Sequence, residues 1–196
     1  MKLLMATNNK GKALELKAVL KDTPFEVLSL KEAGFEVEVD EDGHTFIENA
    51  IKKAKETYRA TGVPSVGDDS GLEVYALNGA PGIYSARWAG GHGEQDLLIE
   101  KLMKELQGKN DRRARFTCAV ALALSEEDII CAEGYCEGVI LNERRGNGGF
   151  GYDPVFYVES KKKTFAELTA DEKNQISHRS MALKNLKSKL SERGVI

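Results

Sequence analysis

The fold class is indicated by one stretch near the amino end, Leu3-Leu4-Met5-Ala6-Thr7-Asn8-Asn9-Lys10-Gly11-Lys12. Its four apolar residues, 3–6, predict a short buried strand. The polar turn after them leads into an amphipathic helix that carries Leu14, Leu16, Val19 and Leu20. A strand that passes through a tight turn into a helix is typical of α/β folds.

Outward from this stretch, strand and helix patterns alternate before a late pair of long strands. Further strands are predicted at residues 25–28, 36–39, 64–67, 72–77 and 155–158, and a helix at residues 94–106. The capping boxes Thr45-x-x-Glu48 and Thr169-x-x-Glu172 predict helices to about residue 61 and about residue 190, the second interrupted near Ser177. Residues 115–124 and 129–140 predict a hairpin. The pattern therefore predicts an α/β fold with a mixed sheet.

Composition excludes several classes of protein. The chain has 196 residues, of which 41% are apolar and 30% charged, so we expect one globular domain over residues 1–196. With 28 basic and 31 acidic side chains, it lacks the basic excess of general nucleic-acid or membrane-surface binders. We therefore expect neither nucleic acid nor a membrane as partner.

The expected compartment is the cytoplasm. No apolar run approaches the roughly 20 residues of a membrane span, and the apolar run at residues 3–6 is too short for a signal peptide. The odd set Cys118, Cys131 and Cys136 contains no C-x-x-C pair, as expected of reduced, packed thiols in an intracellular protein.

The first candidate site is the loop Thr7-Asn8-Asn9-Lys10-Gly11-Lys12 between strand and helix. Amide groups at a helix start, a hydroxyl and two ammonium groups can cradle an anion. The loop is not a Walker A motif, because Ala6 and Ala13 stand where that motif needs glycine and a hydroxyl. The alternative is an ordinary polar turn with solvated lysines.

The second candidate is the acidic segment Asp68-Asp69-Ser70-Gly71, with Asp40-Glu41-Asp42 elsewhere in the chain. Carboxylate oxygens suit Mg²⁺, which typically takes one or two protein carboxylates together with substrate phosphates and water. The alternative is a simple turn at residues 68–71 and a solvated acidic loop.

Two further segments could bind an aromatic base. Gly148-Gly149-Phe150-Gly151-Tyr152-Asp153-Pro154 lets backbone approach a ligand while Phe150 offers a ring for stacking. Lys173 and Ser177-His178-Arg179 add cations and donors that could contact a purine carbonyl or a phosphate. The alternatives are a glycine-rich bulge with a core aromatic residue, and a solvated helix face.

Six motifs follow one another along the chain in an order that is similar to that of a known enzyme family. They are Thr7-x-Asn9-x-x-Lys12, Phe46-x-Glu48-Asn49-Ala50, Asp68-Asp69-Ser70-Gly71-Leu72, Ala80-Pro81-Gly82-Ile83-Tyr84-Ser85-Ala86-Arg87, Gly148 to Pro154, and Ser177-His178-Arg179. In this order they resemble the inosine-triphosphatase-type family of house-cleaning nucleoside triphosphate pyrophosphatases, over residues 3–190.

The resemblance implies a Mg²⁺-dependent, usually homodimeric enzyme that converts ITP, dITP and XTP to the monophosphate and pyrophosphate by attack at the α-phosphorus. It also implies an elongated mixed sheet flanked by helices, with two lobes and an intervening nucleotide cleft. Asp69 would be catalytic and would bind the metal with Asp40 or Glu41, between which the loop leaves the choice open. Substrate contacts would fall on Thr7, Asn8, Asn9, Lys10, Gly11, Lys12, Lys53, Ser70, Phe150, Gly151, Tyr152, Asp153, Lys173, His178 and Arg179.

Specificity follows from donor and acceptor chemistry. Hypoxanthine and xanthine present an O6 acceptor, which donors on His178 and Arg179 would favour over the amino group of adenine.

Two alternative functions remain at this point. They are a nucleotide-binding module without hydrolysis and a Maf-like pyrophosphatase acting on dTTP or UTP. The intact Asp69 and acidic loop argue against the first, and the Ser-His-Arg element argues against the second.

Overall fold

The computed structural model describes residues 1–7, 10–90 and 94–196, with only the backbone at residue 10. The strands are β1 (Lys2–Met5), β2 (Glu26–Ser29), β3 (Ser65–Val74), β4 (Arg113–Ala123), β5 (Ile129–Ile140), β6 (Phe156–Val158) and β7 (Lys163–Thr164). The α-helices are α1 (Lys10–Val19), α2 (Phe46–Thr61), α3 (Gln95–Glu105), α4 (Ala170–Ile176) and α5 (His178–Glu192). Short 3₁₀ helices lie at Tyr75–Leu77, Gly82–Tyr84 and Phe165–Glu167.

These strands form one mixed sheet in the order β2-β1-β3-β4-β5-β6-β7. Strand β1 pairs in parallel with β2 and β3, whereas β6 pairs antiparallel with β5 and β7. Parallel pairs need crossover connections, which α1 and α2 supply in the sequence. The predicted α/β class with a mixed sheet is confirmed.

Local signals placed most boundaries correctly. Thr45 caps α2 by accepting a hydrogen bond from the Glu48 N–H at 3.2 Å, and Gly62 ends the helix with φ of 68°. Strands β4 and β5 are neighbours joined by residues 124–128, as the hairpin prediction required. The interruption near Ser177 is also confirmed, because its extended backbone separates α4 from α5.

Two strand predictions were wrong. Residues 36–39 form no strand, although Val37 and Val39 alternate there with acidic residues. Alternation alone does not make a strand, which also needs a neighbour to hydrogen-bond. Residues 64–67 and 72–77 were predicted as separate segments, but Ser65–Val74 is one strand that runs through the acidic segment, and residues 75–77 turn into a 3₁₀ helix.

The chain divides into two compact units. Unit 1 comprises Met1–Asp69, Cys118–Gly134 and Arg179–Ile196, and unit 2 comprises Ser70–Thr117 and Tyr135–His178. The core of unit 1 contains Leu16 of α1, Leu20 just after it, Val66 of β3, and Leu183 and Leu186 of α5. The core of unit 2 contains Leu98 and Leu102 of α3 with Phe116, Phe156 and Phe165. The single domain over residues 1–196 stays a prediction. None of the helices in the described ranges combines the length and apolar character of a membrane span.

Candidate active site

Two adjacent carboxylates lie in the middle of β3. Asp68 is only 1% exposed and Asp69 only 7%, and both belong to the strand. The alternative of a simple turn at residues 68–71 is therefore wrong. Successive side chains of a strand point to opposite faces. Asp68 and Asp69 therefore meet different helices of unit 1.

Asp68 faces two cations. Its carboxylate forms ion pairs with Lys12 of α1 at 2.8 Å and with Arg179 of α5 at 3.5 Å. Burial alone raises the pKa of Asp68, but Lys12 and then Arg179 outweigh that effect and hold the pKa at about 2. Burial lowers the pKa of Arg179, but Asp68, together with Cys118 and Glu15, outweighs burial and raises this pKa above its usual range. Arg179 also forms an ion pair with Glu15, with 3.5 Å between Nη1 and Oε2.

Asp69 is oriented by a buried amide of α2. Asn49 Nδ2 donates to Asp69 Oδ2 at 2.8 Å, and Asn49 Oδ1 accepts a hydrogen bond from the Gly43 N–H at 2.8 Å. Because both ends of a fully buried amide are engaged, Asn49 cannot turn over without losing both bonds. Asn49 therefore joins the acidic loop to Asp69.

Glycine at position 67 brings α2 close to β3. A Cβ atom at Gly67 would overlap the backbone carbonyl of Ala50 and lie 2.8 Å from the Cβ of Lys53. Lys53 donates from its ammonium group to the Asp68 carbonyl at 2.9 Å and pairs with Glu41 at 2.5 Å. Asp40 is exposed. We call Lys12, Glu41, Asn49, Lys53, Asp68, Asp69 and Arg179 the charge cluster of unit 1.

Unit 2 contains a different group, which we call the aromatic cluster: Phe116, Phe150, Phe156, Phe165, Lys173 and His178. The His178 ring stacks on Phe116 with centroids 4.9 Å apart, and Phe116 stacks on Phe165 at 5.5 Å. Phe156 meets both phenylalanines edge-on. His178 therefore lies buried among rings, while the next residue, Arg179, belongs to the charge cluster.

The glycine-rich loop presents one ring and buries the next. Phe150 is 64% exposed, whereas Tyr152 is buried and donates its hydroxyl hydrogen to the Ser85 carbonyl at 3.0 Å. Lys173 places its ammonium 5.4 Å from the Phe150 ring and 4.8 Å from the Phe165 ring, and it pairs with Asp153 at 2.6 Å. Phe150 is thus placed for stacking, and Tyr152 anchors the loop.

The remaining predicted residues divide into three groups. Asn8, Asn9 and the side chain of Lys10 lie outside the described residues. Thr7 and Gly11 flank that gap, and the N–H of Thr7 donates to the Met5 carbonyl at 2.7 Å. Ser70 continues β3 into unit 2 and is half-buried.

Sequence comparison now identifies the family. The model of the Ham1 family matches residues 3–189. The chain belongs to the Ham1 family.

Relatives match over nearly their whole lengths. A dITP/XTP pyrophosphatase of Desulforamulus reducens is 53% identical over 186 residues, 94% of this chain and 92% of that protein. The dITP/XTP pyrophosphatase of Bacillus subtilis is 50% identical over 191 residues, 96% of both chains. Among solved structures, the Ham1 protein of Staphylococcus aureus superimposes with a TM-score of 0.91 at 40% identity, over 98% of this chain and 100% of that one.

The donor set of this Ham1 chain suits a hard cation that is bound partly through its substrate. Within the described ranges, no three His, Cys, Asp or Glu side chains gather into a metal-binding group. Asp69 and the acidic loop of unit 1 offer carboxylates only. Mg²⁺ commonly takes one or two such ligands and completes its octahedron with phosphate oxygens and water. Asp69 and one carboxylate of the acidic loop could supply these protein ligands.

Three residues that shape these clusters were absent from the predicted site. Asp68 was named in the acidic segment but received no role beside Asp69, although a doublet of acids in a strand supplies a carboxylate to each face. Asn49 lies four residues before Lys53 on α2, and that spacing could have indicated a shared face. Ser85 accepts a hydrogen bond from the Leu72 N–H at 2.8 Å and, through its carbonyl, from Tyr152. No pattern in the sequence marks Ser85 for this contact.

Proposed function

We propose that this protein hydrolyses the non-standard purine nucleotides ITP, dITP and XTP to the monophosphate and pyrophosphate, which keeps deaminated purines out of DNA and RNA. The observation that carries the proposal is the charge cluster, in which Lys12, Lys53 and Arg179 surround two buried aspartates. Its support in sequence is the match to dITP/XTP pyrophosphatases over nearly the whole chain.

Binding of the triphosphate is assigned to the cations of unit 1. Phosphoryl-transfer enzymes act chiefly by positioning the substrate and neutralising its charge. Lys12 and Lys53 would hold phosphate oxygens and stabilise the departing pyrophosphate. Backbone amides at the start of α1 would add donors. Asp68 pairs with Lys12, and Glu41 pairs with Lys53. Both ammonium groups are therefore held in place before the substrate binds.

Asp69 is assigned the chemical step. Its carboxylate would orient the attacking water or accept its proton. Asn49 restricts the carboxylate to one orientation by donating to Oδ2.

Mg²⁺ would be held by Asp69 and one carboxylate of the acidic loop, and when bound it would neutralise phosphate charge. Asp40 and Glu41 remain the two candidates for that second carboxylate. Glu41 lies next to Lys53, whereas Asp40 is exposed. Asp40→Asn and Glu41→Gln separate them, because only loss of the true ligand raises the Mg²⁺ concentration needed for half-maximal activity.

Recognition of the base is assigned to residues 150–152 of the glycine-rich loop and to Lys173, His178 and Arg179. Phe150 would stack on the purine, and donors from His178 and Arg179 would pair with O6 of hypoxanthine or xanthine. Adenine would set its amino group against these donors and leave them unpaired, which costs about 1–3 kcal/mol for each such group. The proposed discrimination therefore depends on exclusion of adenine as well as on attraction of O6.

Assembly and compartment are part of the proposal. The resemblance to inosine-triphosphatase-type enzymes supports a homodimer, which sedimentation equilibrium would test. The free thiols Cys118, Cys131 and Cys136 are compatible with the reducing cytoplasm.

A substrate panel tests the function. Pyrophosphate release should be measured over ITP, dITP, XTP, ATP, GTP, dTTP and UTP, with and without Mg²⁺. We expect kcat/KM to be highest for ITP, dITP and XTP, and activity to disappear with EDTA. Preference for dTTP or UTP would instead assign the Maf-like activity, and tight binding without pyrophosphate release would assign a nucleotide-binding module.

A further inference from the structure

The carboxylate of Asp153 lies inside the glycine-rich loop. We propose that Asp153 is a positioning residue that fixes Phe150 and Lys173, and that it does not itself contact the nucleotide. This inference rests on the proposed function, since it concerns the loop assigned to the purine. It differs from the sequence-based assignment, which placed Asp153 among the substrate contacts.

One oxygen of this carboxylate holds two parts of unit 2 together. Asp153 Oδ2 accepts a hydrogen bond from the Phe150 N–H at 3.0 Å and from the Lys173 ammonium at 2.6 Å. The Asp153 side chain is only 4% exposed. A nucleotide could reach that oxygen only by displacing a charge-assisted bond and a backbone donor, which would leave buried groups unpaired.

The backbone around the carboxylate reinforces this role. The Asp153 N–H donates to the Phe150 carbonyl at 3.2 Å, so the loop is closed by its backbone as well as by the side chain. Gly149 has φ of +73°, and a Cβ atom there would overlap the Asp153 carboxylate. The glycine thus leaves the space that the carboxylate occupies.

Lys173 extends the effect to the rings. Its ammonium lies near the faces of both Phe150 and Phe165, a cation–π arrangement that depends on where the ammonium is held. Asp153 holds it. Without that carboxylate, the backbone and the ring of Phe150 are less restricted. They must then become ordered when the base binds, and this loss of conformational freedom lowers the affinity for the nucleotide.

A double-mutant cycle tests the proposal. In Asp153→Asn we expect KM for ITP and XTP to rise about threefold by the same factor, with kcat within twofold of wild type. In the Phe150→Ala background the same substitution should raise KM by a clearly smaller factor, because one of the two residues through which Asp153 acts is gone. An equal rise in both backgrounds would establish a direct nucleotide contact and overturn the proposal.

Glu137→Gln is the matched control, since that carboxylate of unit 2 accepts a hydrogen bond from Tyr75 outside the cluster. It should leave KM unchanged. If Asp153→Asn fails to fold, Gly149→Ala displaces the carboxylate instead. It should also raise KM, and by a larger factor when Phe150 is present. An unchanged KM in Gly149→Ala, or an equal rise without Phe150, would contradict the positioning role.

Amide hydrogen exchange tests the inference separately from the activity. In Asp153→Ala, the Phe150 amide should exchange at least tenfold faster, while the Leu72 amide, bonded to Ser85, keeps its rate. Unchanged exchange at Phe150 would overturn the positioning role even if the enzyme is active. Absence of ITP and XTP hydrolysis in the wild type would overturn the proposed function and leave the exchange result standing.

Discussion

The charge cluster and the aromatic cluster are organised by different forces. In unit 1, opposite charges are buried against one another, and the pKa of Asp68 moves well below its ordinary value. In unit 2, rings stack around one ammonium and one imidazole. The strength of a buried ion pair changes when a further charge is placed beside it, whereas the packing of rings is sensitive to the shape of the neighbouring groups. We therefore expect substitutions in the charge cluster to change kcat and those in the aromatic cluster to change KM.

Asp69→Asn should produce the largest effect. The amide keeps the size of the side chain but cannot accept the proton of water and is a poor Mg²⁺ ligand, so kcat should fall by ~10²–10⁴-fold. Nucleotide affinity, measured by calorimetry, should be largely kept. Asp42→Asn, at an exposed aspartate paired with Lys52, is the control and should retain full activity. Turnover close to wild type in Asp69→Asn would remove Asp69 from the chemical step.

Arg179→Ala tests whether a residue of the charge cluster also reads the base. Loss of a charge-assisted bond to O6 should lower kcat/KM for ITP about tenfold to a hundredfold while the rate with ATP holds, so the preference is compressed. Equal loss for both substrates would restrict Arg179 to the charge cluster. Arg193→Ala, which removes an exposed arginine paired with Asp128, should change neither rate.

Acid should destabilise the charge cluster selectively. The pKa of Asp68 is lowered to about 2 in the folded chain against 3.8 in its unperturbed form, so its contribution to stability is complete above pH 4. It is lost as pH falls toward 2, and it amounts to roughly 2 kcal/mol. Urea unfolding between pH 2 and 7 should show this loss in the wild type and a smaller one in Asp68→Asn. The same acid slope in both proteins would contradict it.

Phe150→Ala should produce the smallest effect. Stacking does not distinguish one purine from another, so KM should rise by a similar factor for every purine triphosphate. Because the ring is exposed, we expect the low end of the stacking range, about 1 kcal/mol or fivefold in KM. An unchanged KM together with a lowered Tm would show that Phe150 serves packing alone.

Local signals in the sequence predicted more of the fold than of the contacts within the site. Thr45, Gly62 and Ser177 mark helix boundaries through their own backbone and capping chemistry, which short windows of sequence contain. Residues 36–39 show the limit, because a strand pattern cannot reveal whether a partner strand exists. Within the site, Asp69 and Lys12 stood out by motif. The pairing of Asp68 with Lys12 and Arg179 depends on side-chain directions across three distant segments, which periodicity does not encode.

The ion pairs of Asp68 have a consequence for synthesis of the chain. Lys12 and Asp68 lie in the first of the three segments that build unit 1, and Arg179 is the first residue of the last segment. During translation, the first two can meet long before the third emerges from the ribosome. Until α5 follows, Asp68 lacks one of its cations and the unit lacks the leucines of that helix. A truncated product that ends before residue 179 therefore cannot complete the charge cluster, so nucleotide hydrolysis would mark chains that have been translated beyond that point.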